Sequence, residues 1–235
     1  MSEMERFIYT ESKPLPVILL LDTSKSMAKN NNIGTLNEAV NQMLRSFKTS
    51  AGNEASIQIA VIVFGENTEL LMPLRDVNCV ETIKPFVAKG GTFMAKAIDI
   101  AKDLIEDREL IPSRCYRPIV LMVTDGAPGD NWRAAMDRFI HHGRSSKCYR
   151  MAMGIGNGSS GIAREVLETF ISPGETVYSA ANANEISQFF TYATMTAQKS
   201  ISHPVAAQEK PRVELQGKPI KDDEEDQFLE ELIIL

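Results

Sequence analysis

Apolar runs alternate along the chain with segments whose apolar residues recur every three or four positions. The first run, Pro16 to Asp22 (P-V-I-L-L-L-D), is hydrophobic at consecutive positions and ends on an acid. A strand that is apolar on both faces is a central strand of a covered sheet. From Ile33 to Phe47, Leu36, Val40, Met43, Leu44 and Phe47 fall at helical spacing. Ser56–Gly65 reads as a strand, and Asn67–Leu74 as its hairpin neighbour. Gly90-Gly91-Thr92 opens a helix from about Met94 to Asp107. Arg117–Asp125 (R-P-I-V-L-M-V-T-D) repeats the first pattern, an apolar strand closed by an acid. Trp132–His142 reads as a helix capped by Asp130. A strand (Cys148–Ile155), a helix (Gly161–Ile171), a short strand (Thr176–Ser179) and a last helix (Ala183–Ala197) complete the series.

Strands alternating with helices predict an α/β, doubly wound, Rossmann-like fold. The sheet is mainly parallel with one antiparallel edge hairpin, and helices cover both faces. The pattern divides the chain into an extension (1–13), one domain (14–199) and a tail (200–235). In the tail, Pro204, Pro211 and Pro219 punctuate polar sequence before D-D-E-E-D-Q-F-L-E-E-L-I-I-L, residues 222–235. That reads as linker and tail, not as a second domain.

Charge sharpens the division. The formal net charge of the 235 residues is −6, but 222–235 hold seven acids and no Lys or Arg. Without those acids the remainder carries +1. A body near neutrality lacks the basic footprint of nucleic-acid binding. No apolar run reaches the ~18–20 residues needed to span a membrane. The N-terminal ten residues lack the apolar core of a signal peptide. Cys79, Cys115 and Cys148 are far apart with no CxxC, which disfavours a disulfide framework or a zinc site. These features together predict a soluble, cytoplasmic protein.

In open parallel sheets, ligands sit at the carboxyl ends of strands where the strand order reverses. Asp22 and Asp125 stand at two such ends. In extended chain, positions i, i+2 and i+4 share a side, so Asp22, Ser24 and Ser26 converge. Thr92 brings a further hydroxyl. Two carboxylates and three hydroxyls, with no His or Cys, form an all-oxygen set for a hard divalent cation: Mg²⁺ first, with Mn²⁺ or Ca²⁺ also compatible. Two carboxylates only neutralise such an ion, which leaves it open to a carboxylate from another protein.

D-x-S-x-S (Asp22, Ser24, Ser26), Thr92 in G-G-T and Asp125 in T-D-G resemble the metal-ion-dependent adhesion site, MIDAS, of von Willebrand factor A domains. The resemblance covers roughly residues 14–199. The segments L-L-L-D-T-S-x-S-M, R-P-I-V-L-M-V-T-D-G-A-P-G-D-x-W and A-x-G-I-G further resemble the bacterial TerY-like branch, associated with tellurite resistance. It implies a non-enzymatic, metal-dependent interaction module in a stress-response or signalling complex, with a kinase or phosphatase partner. It implies that Ser24, Ser26 and Thr92 bind the metal directly or nearly so, and that Asp22 and Asp125 often act through waters. Lys25 departs from the small residue common between the two serines. With Gly91 and Trp132 it is assigned to the partner-binding rim, although the usual burial of Trp favours reading Trp132 as core at a helix start.

Competing readings are enzymatic. Gly156–Gly161 fits GxGxxG between a strand and a helix. It lies in a late βα unit, however, and the next loop acid, Glu175, is closer than a dinucleotide fingerprint places it. L-L-L-D-T-S-K-S also resembles haloacid-dehalogenase phosphatases. In that reading Asp22 and Asp125 serve phosphoryl transfer, but Ser24 stands where the general acid is needed. His141 and His142 are adjacent and do not share a helix face. In the tail, Phe228, Leu229, Leu232 and Ile233 fall at helical spacing, which suits either a solubilising tail or a docking segment.

Overall fold

The computed structural model describes residues 12–50, 55–156 and 161–202. Six strands form one sheet: β1 (Lys13–Asp22), β2 (Ala55–Phe64), β3 (Glu69–Asp76), β4 (Ile119–Thr124), β5 (Tyr149–Ile155) and β6 (Tyr178–Ala180). Their order is β3-β2-β1-β4-β5-β6. Every pairing is parallel except β2–β3, which is antiparallel. The helices are α1 (Asn32–Ser50), α2 (Ala95–Glu106), α3 (Trp132–His141), α4 (Gly161–Phe170) and α5 (Ala183–Ser202). This is the doubly wound α/β architecture that the hydrophobic pattern predicts.

β1 is the spine. Its alternating side chains feed two cores, because successive residues of a strand point to opposite faces. Leu15, Val17, Leu19 and Leu21 pack with Leu36, Val40 and Phe47 of α1 and Phe189 and Phe190 of α5. Ile18 and Leu20 pack with Ile98 of α2, Phe139 of α3 and Phe170 of α4. All six β1 residues are buried, and each contributes about 1.5–3 kcal/mol of transfer free energy. At the outer edge, Pro73 sits in β3, where an edge strand tolerates a residue without an N–H.

Several elements differ in extent from the pattern. β1 begins at Lys13 and β3 ends at Asp76. α5 runs to Ser202, past the expected end at Ala197, because Ala197 and Ile201 continue its apolar stripe against the core. The central residues of the Gly156–Gly161 motif and residues 203–235 lie outside the described residues. Among the described residues, no helix is long and apolar enough to cross a membrane.

The chain runs from β1 outward to β2 and β3, then returns to place β4 on the other side of β1. The order therefore reverses between β1 and β4, and the crevice lies beyond their carboxyl ends.

Candidate metal centre

Asp22 ends β1 with no measurable exposure. Ser24 keeps an extended backbone (φ −63°, ψ 162°), so the strand direction persists two residues further. A short 3₁₀ stretch, Lys25–Asn31, then turns the chain into α1, anchored by buried Met27. The Ser24 N–H donates to Asp22 Oδ1 at 2.7 Å. The hydroxyls of Ser24 and Ser26 lie 2.9 Å apart. Ser26 Oγ donates to Asp125 Oδ1 at 2.6 Å. The first and third loops are thereby joined through side-chain oxygens.

A second loop closes over them. Lys25 N–H donates to the Gly90 carbonyl (2.9 Å), and Lys89 N–H to the Thr23 carbonyl (2.7 Å). Gly90 has φ +73°, and a Cβ there would lie 2.3 Å from the Glu66 Cβ, so only glycine lets the loop approach. Two residues on is Thr92, whose carbonyl accepts from Gly129 N–H at 2.8 Å. Its hydroxyl would lie 3.9 Å from a Cβ built on Gly126, the neighbour of Asp125. Asp22 at the end of β1 and the four other residues of the oxygen set on the following loops thus stand at the carboxyl end of the sheet.

Two further residues support this set. Thr124 Oγ1 donates to Asp22 Oδ2 at 2.5 Å. Asp130 accepts the Ala95 N–H at 2.8 Å and so caps α2, not α3. At α3 the cap position belongs to Asn131, which makes no side-chain cap bond. The correction has a physical reason: the chain turns at 126–131 across the start of α2, and Asp130 meets that helix's free N–H groups first. Asp130 therefore ties the Asp125 loop to the segment carrying Thr92. Thr124 was recognisable only as a hydroxyl beside Asp125, and its role depends on strand register.

The electrostatics are those of two neighbouring, largely buried acids. Burial pushes the Asp22 carboxyl up to about 6, against hydrogen bonds from Thr124 and Ser24, and Asp125 adds repulsion. Burial also raises the Asp125 carboxyl, while Ser26 and nearby Lys29 pull it down. Among the described residues neither aspartate forms a salt bridge. Two carboxylates and adjacent hydroxyls, all oxygen, fit a hard cation.

At the rim, Lys25 and Gly91 are exposed. Trp132 is not: it is 4 % exposed and packs in the α2–α3–α4 core, with the Arg133 guanidinium 4.7 Å above its ring. Of the two readings of Trp132, the geometry favours core, since the first turn of α3 points the ring inward.

Residues 17–127 match the family model described as von Willebrand factor type A domain. The similarity to a von Willebrand factor type A domain covers residues 17–127 of this chain. Solved structures with a similar fold include a von Willebrand factor type A protein from Catenulispora acidiphila (16 % identity, TM-score 0.63, covering 79 % of this chain and 43 % of that one). Proximal thread matrix protein 1 from the mussel byssus, solved with a zinc-occupied MIDAS motif, is 17 % identical (TM-score 0.58, 80 % of this chain and 46 % of that one). Manganese-loaded TRAP protein of Plasmodium vivax is 20 % identical (TM-score 0.53, 75 % of this chain and 71 % of that one). At these identities the likeness concerns the fold. The chain spans less than half the length of the first of them. A search of curated proteins finds no match.

Proposed function

We propose that this von Willebrand factor A domain is a divalent-cation-dependent protein-interaction module, with Asp22, Ser24, Ser26, Thr92 and Asp125 holding the ion. The observation that carries this reading is the acid pair at the sheet's switch point, held by hydroxyls and, among the described residues, in no salt bridge. When bound, the cation supplies a coordination position that an Asp or Glu of another protein completes. Asp22 and Asp125 neutralise the charge, Ser24 and Ser26 present hydroxyls, and Thr124 orients the Asp22 carboxylate. Exposed Lys25 favours an acidic partner. The metal-loaded structures of the mussel and Plasmodium proteins add support. The oxygen set favours Mg²⁺, with Mn²⁺ or Ca²⁺ as alternatives.

The geometry favours this over phosphoryl transfer. Both Asp22 oxygens already accept hydrogen bonds, from Ser24 N–H and Thr124 Oγ1, which blunts a nucleophile. Ser24, two residues on, has no acid function near neutral pH. The finer placement, a cytoplasmic TerY-like complex with a kinase or phosphatase, rests on the sequence segments alone.

The test is calorimetric titration of chelator-stripped protein with Mg²⁺ and Mn²⁺. One site, lost in Asp22→Ala, is the expected result, followed by an acidic partner captured in Mg²⁺ and released by EDTA. Absence of cation binding in the unmutated chain would overturn the reading, and phosphoester turnover would favour the enzyme.

A further inference from the structure

The edge that carries the metal centre is both basic and apolar at its rim. Lys25 and Lys29 are exposed beside it and, among the described residues, form no ion pair. Val87 and Phe93, on the loop that carries Thr92, are 75 % and 45 % exposed. Surface hydrophobics of this size beside a polar site mark an interaction surface when they cluster. A groove lined by Thr23, Glu66, Leu71, Phe86, Val87 and Lys89 opens next to them. Thr23, the residue between Asp22 and Ser24 in the chain, contributes to the lining of this groove. Glu66 and Lys89 pair with each other at 2.7 Å, and a second acid, Glu69, also lines the groove. The fitting occupant has carboxylates for the cation and the two exposed lysines, followed within a few residues by apolar side chains for the groove.

The chain itself contains such a segment. Asp222–Asp226 is a run of five acids, and Phe228 and Leu229 follow one residue later. We infer that residues 222–235 dock in cis on this rim, an acid of 222–226 facing the cation and Phe228 and Leu229 entering the groove beside Val87. The inference rests on the metal-dependent reading above.

Reach permits it. β6 ends at the same edge as β1 and β4, being parallel to β5. α5 starts there and runs back along the sheet, with Ile186, Phe189, Ala193 and Ala197 in the core. Its 20 residues cover about 30 Å. Residues 203–221 must return that distance, and a fully extended chain of that length reaches up to about 60 Å. Attachment to the same chain raises the local concentration of the segment at the rim. A weak contact is then largely formed in cis, while a second copy at micromolar concentration competes poorly. A partner must displace the segment, so the tail sets the threshold for partner binding.

The test uses the full chain and a full-length variant carrying Asp222→Asn, Asp223→Asn, Glu224→Gln, Glu225→Gln and Asp226→Asn. A synthetic peptide of residues 220–235 is titrated into each in Mg²⁺ and in EDTA, and Mn²⁺ binding is measured on the same samples. The peptide is expected to bind the neutralised variant in Mg²⁺, to bind the unmutated chain about tenfold more weakly because its own tail competes, and to be lost in EDTA. Lys25→Glu with Lys29→Glu should weaken it further. Equal affinity for the two chains, or binding that survives EDTA, overturns the inference, and so does a Mg²⁺-dependent dimer in sedimentation, which would place the tail on a second copy. If Mn²⁺ binds but the peptide does not, only the docking falls. If no cation binds, the metal reading falls with it.

Discussion

Asp22 and Asp125 look like repeats of one device: each closes an apolar strand at the same sheet edge. Their surroundings differ. Leu21 pairs with Val123, so the next step along both strands sets Asp22 beside Thr124, and Asp125 falls one residue beyond. Asp22 is therefore sealed under the site, held by Ser24 N–H and Thr124 Oγ1. Asp125 stands in the loop and accepts Ser26 Oγ. A single residue of register separates an acid built into the floor from one placed in the loop beyond it. The floor acid carries the larger electrostatic penalty, because burial disfavours its charge.

The comparison can be broken most forcefully at the floor. Asp22→Ala should lower cation affinity at least about 100-fold, read by calorimetry, by removing charge and the acceptor of the Ser24 N–H. Asp22→Asn should abolish cation binding as well, yet raise the melting temperature in EDTA at pH 7.5 by roughly 3–6 °C, since it removes a buried charge. Asp125→Asn should leave that temperature nearly unchanged. A shared response of the two variants would erase the distinction drawn between them.

The pH dependence has a definite sign. The folded-state value for Asp22 is about 6, above the ordinary 3.8. Between those values the folded chain holds a proton that the unfolded chain has released, so ionisation opposes folding. This group's contribution to stability in EDTA should fall as pH rises from about 4 to 6 and level off above. Melting curves of the unmutated chain and Asp22→Asn across that range isolate the slope, which the variant should lose.

Smaller effects sharpen the roles of the supporting residues. Thr124→Val keeps the shape but removes the donor, and should weaken cation binding about tenfold. Asp130→Ala should destabilise the fold by about 1 kcal/mol through loss of the α2 cap, measured by urea unfolding. Least disruptive is thiol labelling. Burial pushes the Cys148 thiol up to about 12, so it should resist a disulfide reagent at pH 8 while exposed Cys79 reacts.

Much of this was legible in one dimension. The run Val17–Leu21 is apolar at every position, which only a strand covered on both faces can use, and β1 is that strand. The hydroxyls after Asp22 fall at two-residue spacing, and the extended backbone at Ser24 preserves their common side. Asp130 was misread because capping from sequence looks forward to the next helix, whereas the nearest free helix N–H belonged to α2, folded in from 35 residues upstream. Trp132 shows the same limit: its place in the loop after Asp125 says nothing about which way the first turn of α3 faces.

By itself, then, the sequence determined the number and kind of βα units, the acid at the end of each central strand and the oxygen-only chemistry of the loops that follow. Periodicity and side-chain type are local properties, and short-range backbone geometry reads them directly. Only the tertiary structure decided that Asp22 meets Thr124 across 102 positions and Ser26 meets Asp125 across 99. Those partners depend on the register between β1 and β4, and register is fixed by packing two cores at once, which no local window of the chain contains.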